Sequence, residues 1–194
     1  MLKRLLIAKQ ELEKIKPEWQ LKIFDAYRPV SVQQFMVDYT FHSICSERNL
    51  NPKLLDLSTR EAIYREVYQI WAVPSDNPLT PPPHSTGGAV DLTFCTGDGN
   101  LVDMGGEIDE LSVRSHPNYY LETKEEKGKI YHQRRELLNL VMSKAGFQRH
   151  LGEWWHFCYG DQMWAWLEKE KNPEISPWAK YGRYDENKDN DCML

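Results

Sequence analysis

Long hydrophobic runs are missing from this 194-residue chain. The apolar cluster Leu5-Leu6-Ile7-Ala8 is followed at once by Lys9. It is far short of the roughly 20 apolar residues of a membrane span. It also lacks the apolar core and small-residue cleavage site of a secretory leader. Cysteine is sparse: Cys45, Cys95, Cys158 and Cys192 form no C-x-x-C pair and no tight framework. An even count permits disulfides, but the spacing does not argue for them. Cys95 and Cys158 fall in strand-like stretches and read as buried thiols. A basic excess is absent too, with 24 Lys and Arg against 29 Asp and Glu and a net charge of −5. Without a basic stripe, nucleic acid is excluded as a partner. Internal repeats and low-complexity tracts are lacking. These absences point to a cytoplasmic protein with no membrane partner.

Composition is otherwise ordinary for a globular protein, at 41% hydrophobic and 27% charged residues. Aromatic residues are plentiful at 12%, with seven Trp, which serves a packed core before a pocket. One domain is expected over residues 1–194, with 172–194 a partly ordered C-terminal tail. The periodicity predicts a helix over 2–16, with Leu5, Leu6, Leu12 and Ile15 inward, ended by Pro17. Leu21-Lys22-Ile23-Phe24 reads as a strand. Ser31-Val32-Gln33-Gln34 and Ser58-Thr59-Arg60-Glu61 are capping-box patterns. They predict a helix to about 48 with Val32, Phe35, Met36, Tyr39 and Ser43 inward. A second helix runs to about 71, with Ile63, Val67, Ile70 and Trp71 inward. Val90 to Phe94 is a central strand, and Gly97-Asp98-Gly99-Asn100 a hairpin turn to a returning strand over 101–104. Glu125 to Ala145 is a helix with a stripe of Ile130, Leu137, Leu138, Val141 and Met142, stopped by Gly146. A hairpin over 147–159 and a last helix from Asp161 to about 171 follow. Trp178 and Tyr181 are expected to anchor part of the tail. The fold class is α+β: helices packed on a small central antiparallel sheet.

One stretch carries chemistry. Pro83-His84-Ser85-Thr86-Gly87-Gly88-Ala89-Val90-Asp91 places an imidazole and a carboxylate seven positions apart. On a straight strand these would face opposite ways. They converge only if the chain bends at Gly87-Gly88, where glycine tolerates positive φ. Downstream, Gly152-Glu153-Trp154-Trp155-His156-Phe157 adds a carboxylate and a second imidazole. Glu153 belongs in the turn after Gly152, and His156 on a strand. Together they offer what a catalytic zinc site needs: three ligands (His84, Asp91, His156), an open fourth position and a spare base, Glu153. The bland alternative is a strand histidine satisfied in a Trp-rich core. It would leave Asp91 unpaired at the head of an apolar strand, which is costly. His150 lies six before His156, but the ligand set is complete without it. His42 and His132 have no partner pattern.

The order His-Ser-x-Gly-x-Ala-x-Asp-Leu-Thr, Asp103-Met104-Gly105, then Glu-Trp-Trp-His-Phe, preceded by Asp25-Ala26-Tyr27-Arg28-Pro29, resembles the zinc D-alanyl-D-alanine dipeptidases. That resemblance spans residues 25–159. It implies one Zn²⁺ per chain and a small cell-wall dipeptide, D-alanyl-D-alanine, hydrolysed to two D-alanines. It implies Glu153 as general base, Arg28 as the guanidinium that steadies the oxyanion, and Asp109 as the anion that holds the substrate's amino group. On the residues alone Arg28 is equally a surface arginine and Asp109 a loop carboxylate. Asp103 is the alternative to Asp109 and reads as structural. Ser115-His116 resembles a family element near the pocket. Pro82 and Pro83 stand where a serine is common, and the family carries a further segment before the first helix. Two other readings stay open: a D,D-carboxypeptidase or endopeptidase acting on peptidoglycan peptides, and a zinc-stabilised binding module without catalysis.

Overall fold

The computed structural model describes residues 1–184; Cys192 and the rest of 185–194 lie outside the described residues. Its axis is strand β2, Ala89–Thr96, buried along all but its last residue. The sequence there is β-branched and aromatic, as a strand covered on both faces requires. β2 pairs antiparallel with β1 (Trp19–Asp25) on one edge and β4 (His156–Cys158) on the other. β3 (Gln148–Arg149) completes the sheet, in the order β1-β2-β4-β3. The period of two divides the faces of β2. Val90, Leu92 and Phe94 enter a core with helix α1 (Leu2–Glu13) and helix α4 (Glu126–Lys144), meeting Ala8, Leu12, Leu138, Val141 and Met142. Each fully buried side chain of this kind contributes about 1.5–3 kcal/mol. Asp91 and Thr93 alternate with them onto the other face.

A second core joins helix α2 (Val30–Glu47) to helix α3 (Leu57–Val67) through Val37, Phe41, Ile44, Cys45, Ile63 and Val67. Helix α5 (Gln162–Lys171) follows β4 and is capped by Asp161, whose side chain accepts from Trp164 N at 2.7 Å. The fold is thus α+β, with five helices and an open antiparallel sheet among the described residues. Among the described residues no helix is long and apolar enough to cross a membrane.

Several local expectations need correction. α1 ends at Glu13, and turn bonds from Ile15 and Lys16 back to Leu12 O close it, leaving Ile15 exposed. α2 turns Gln33, Val37, Phe41 and Ile44 inward, while Val32, Phe35 and Tyr39 face solvent. The helix carries two apolar stripes, and contact with α3 decides which is covered. Ser31 does not cap it, since Pro29 holds the N-cap position without a side-chain bond. Asp56, not Ser58, caps α3, through Thr59 N. On α4 the inward set includes Tyr131 and Arg135, and Ile130 is exposed. Residues 101–104 make one bridge, Leu101 to Cys95, not a strand. Asp103 then accepts from Gly105 N at 3.0 Å and turns the chain away. Cys95 and Cys158 are buried free thiols, as is Cys45. The segment after α5 is held by its backbone: Lys180 N and Tyr181 N donate to Gly160 O, and Tyr184 N to Ser85 O. Trp178 is 77% exposed and anchors nothing.

Candidate active site

His84 sits in a 3-10 turn, Pro83–Thr86, with proline at its first position. Gly87 leaves that turn at φ 65°, the left-handed bend that a side chain disfavours. Gly88 follows under the backbone of Tyr159, where a Cβ would come within 3.0 Å of the carbonyl oxygen. The chain therefore reverses between His84 and Asp91, and both arrive at one point. Asp91 lies opposite His156 in the β2–β4 register. His84 Nε2 is 3.1 Å from Asp91 Oδ2 and 3.2 Å from His156 Nδ1, and His156 Nδ1 is 2.9 Å from Asp91 Oδ1. Three donors bonded at 2.0–2.1 Å to one tetrahedral ion would be about 3.3 Å apart. The triangle fits a metal ion, and among the described residues these three form a group able to hold one.

Outer contacts set the tautomers that such binding needs. His84 Nδ1 donates to Ala26 O at 2.8 Å, leaving the Nε2 lone pair for the triangle. His156 Nε2 lies 3.2 Å from Cys158 Sγ, two residues on along the same strand face, leaving Nδ1 for the triangle. Burial alone would lower the His84 imidazole, but its bond to Asp91 and the charge there leave it raised. Burial would raise Asp91, but His156 and His84 together hold it well below the usual carboxylate range.

Glu153 occupies the loop before β4, buried, with its oxygens 3.8 Å from His156 Nδ1 and from His150 Nδ1. Neither distance is a hydrogen bond. Burial, then the charges of Asp91 and Asp109, push its carboxyl well above the usual range. It has the features of a proton acceptor poised beside the triangle rather than of a ligand. Arg28 is 4% exposed and fixed by Asp25 and Gln33, with Nε to Asp25 Oδ2 and Nη1 to Gln33 Oε1 both at 2.7 Å. Its Nη2 lies 3.6 Å from Asp91 Oδ2. The backbone bonds Arg28 N to His84 O (3.2 Å) and Ser85 Oγ to Arg28 O (2.9 Å) stitch this segment to the His84 turn.

Arg28, His84, Asp91, Asp109, Glu153 and His156 all line one cleft of about 310 Å³. That is the small end of ligand sites, which run about 300–1,000 Å³. Asp109 is exposed at the mouth, in the left-handed region at φ 62°. Its carboxyl faces the cleft, where loss of solvation and then Asp91 push it up to about 6. It also lines a second cavity of about 810 Å³ with Thr93, Tyr120, Tyr131 and Trp154. Asp103 lines only this second cavity and accepts from Tyr131 Oη at 2.8 Å. His116 is exposed and lines neither, while Ser115 is buried and its carbonyl accepts from Trp154 N.

Sequence reasoning passed over four groups that the fold brings here. His150 lines the cleft, Gln33 holds Arg28, Met163 closes one wall, and Cys158 backs His156. Only Cys158 carried a local signal, its i+2 spacing from His156.

A pair of histidines and an aspartate converging on one point, with a spare buried carboxylate and a guanidinium alongside on an α+β scaffold, is the arrangement of a metallopeptidase. A sequence profile described as "D-ala-D-ala dipeptidase" matches residues 1–174. The chain belongs to that family, and it is an enzyme. It is 53% identical over 189 residues to a D-alanyl-D-alanine dipeptidase of Synechocystis sp., covering 94% of this chain and 76% of the relative. It is 30% identical over 143 residues to one of Enterococcus faecalis, covering 73% and 63%. It is 40% identical over 82 residues to one of Escherichia coli, covering 38% and 36%.

Proposed function

We propose that this enzyme hydrolyses D-alanyl-D-alanine to two D-alanines, with one Zn²⁺ held by His84, Asp91 and His156. The observation that carries the reading is Glu153, a buried carboxylate without a hydrogen bond among the described residues, 3.8 Å from a donor of the triangle. The donor set of two imidazoles and one carboxylate suits zinc and leaves a position open. The D-configuration of the substrate follows the descriptions of the family and of the relatives.

Bound there, the cation supplies Lewis-acid chemistry, polarising a carbonyl and making water acidic near neutral pH. Glu153 takes a proton from the attacking water as the new C–O bond forms. Its raised affinity for protons suits both that step and the return of the proton to the departing amine nitrogen as the C–N bond breaks. Arg28, clamped by Asp25 and Gln33, keeps its charge facing the triangle, where negative charge builds on the carbonyl oxygen. Asp109 offers its carboxylate to the substrate ammonium at the cleft mouth and favours a free amino end. The chain acts as one domain. Three buried free thiols agree with a reducing, cytoplasmic location.

A carboxypeptidase acting on longer peptides has one observation in its favour: Asp109 borders the second cavity, which leaves room beyond the cleft. D-alanine release decides between them. Zinc-loaded protein should release it from the dipeptide and not from a muropeptide ending in D-Ala-D-Ala. Glu153→Gln should keep its zinc and lose at least about 100-fold in kcat. Loss of zinc from that variant would make Glu153 a ligand. Release from the muropeptide would establish the carboxypeptidase.

A further inference from the structure

We infer that His150 recognises the substrate's free carboxylate, so that the cleft measures a dipeptide between two fixed points, with Asp109 at the ammonium end. The inference rests on the dipeptidase reading above and adds the group that reads the other terminus.

The hydrogen bonds of the ring come first. His150 Nδ1 accepts from Gly152 N at 3.3 Å, so a neutral ring carries its proton on Nε2. That N–H has no acceptor among the described residues. The ring lines the cleft and its side chain is 27% exposed. Nδ1 is the atom nearer Glu153, at 3.8 Å, which leaves Nε2 on the far side of the ring from that carboxylate. A donor on a cleft wall without a protein partner is suited to an acceptor on the substrate.

The side-chain donors of Arg28, Gln33 and Trp71 are already engaged. Arg28 is spent largely on Asp25 and Gln33, Gln33 Nε2 donates to Ala72 O, and Trp71 Nε1 donates to Thr40 Oγ1. Pro83, beside His84, has neither an N–H nor a polar side chain. Tyr68 and Gln69 come from the segment that sets Trp71 against Arg28.

Placement gives the third argument. In the order β1-β2-β4-β3 the triangle stands on the two middle strands. Asp109 lines the cleft from the loop after residue 104. His150 directly follows β3 and packs its ring 5.5 Å from that of His156. Both groups line the cleft into which the triangle opens. An extended dipeptide spans about 7 Å between its termini. For cleavage its amide has to lie over the triangle when both ends are held. A longer chain has no free ammonium at Asp109, and an amidated one no carboxylate at His150.

The test compares D-Ala-D-Ala with its C-terminal amide at saturating zinc, in the wild type, His150→Leu and His150→Gln. Wild type should prefer the acid. His150→Leu should lose about 10- to 100-fold in kcat/KM for the acid, mostly through KM, and little for the amide. His150→Gln, which keeps an N–H donor, should recover part of the preference. Dipeptide binding by calorimetry in a Glu153→Gln background should weaken by the same factor with His150→Leu. Unchanged acid preference in His150→Leu would overturn the inference while leaving the dipeptidase reading intact. So would a wild type that cleaves acid and amide equally well. A wild type that cleaves neither would overturn the dipeptidase reading, and this inference with it.

Discussion

Asp109 holds its proton unusually well because the cleft restricts its solvation and Asp91 repels its charge, which places it at about 6. The consequence for recognition has a definite sign. As pH falls through that value the carboxylate takes up a proton and its attraction for an ammonium is lost. Dipeptide affinity of a Glu153→Gln background should therefore fall on acidification, and Asp109→Asn should bind more weakly and show no such limb. A zinc ion in the triangle offsets Asp91, so loading with metal should move the limb to lower pH. Affinity flat with pH in both proteins would remove Asp109 from the ammonium site. Cys158 lies behind His156 instead of in the cleft. Burial, then Asp161, keeps its thiol from ionising, so it faces His156 Nε2–H as a neutral acceptor. Cys158→Ala leaves that N–H buried without a partner and should weaken zinc about 10- to 100-fold in chelator competition, with Cys158→Ser restoring most of it. Equal affinity in all three would make Cys158 a packing residue.

At the scale of elements, the loop that carries Asp109 is held by a helix. Arg135 of α4 is fully buried, and Nε donates to Met104 O while Nη1 donates to Arg114 O and His116 O, at 2.8–3.0 Å. One guanidinium thus ties both ends of the 104–116 loop. Arg135→Leu leaves three carbonyls without their donor, that of Met104 in a buried bond, and should cost about 1–3 kcal/mol in urea unfolding. It should also raise KM for the dipeptide more than it lowers kcat, because Asp109 loses its position while the triangle keeps its own. A variant with normal KM would mean that the loop holds its shape without the clamp. This clamp also marks where the sequence stops being readable. His84, Asp91, Glu153 and His156 were legible because their convergence depends on local features: a glycine bend, a strand register and a hairpin. Helix faces were less so. Gln33 and Arg135 point inward because a distant segment needs their polar ends, and no periodicity of apolar residues encodes that. The returning strand over 101–104 failed for a similar reason, as Asp103 bonds Gly105 N and diverts the chain.

At the scale of the molecule, the ligands of the triangle come from parts that are otherwise loosely joined. His84 belongs to the turn after the α2–α3 core, stitched to the segment between β1 and α2, whereas Asp91 and His156 belong to the sheet over α1 and α4. An ion bound to all three ties the two cores together. Binding confined to the folded state stabilises by RT ln(1 + [L]/Kd), about 2.7 kcal/mol at 100-fold excess over Kd. For a chain of this length that corresponds to a Tm rise of roughly 5–10 °C. Chelation should therefore lower Tm along with activity, and zinc titrated back should raise Tm with the logarithm of its free concentration. His84→Ala should lose that dependence, since it keeps the sheet ligands but breaks the tie to the second core. If His84→Ala shows the wild-type slope, the ion is held by the sheet alone and the link between the cores rests on Arg28 and its partners.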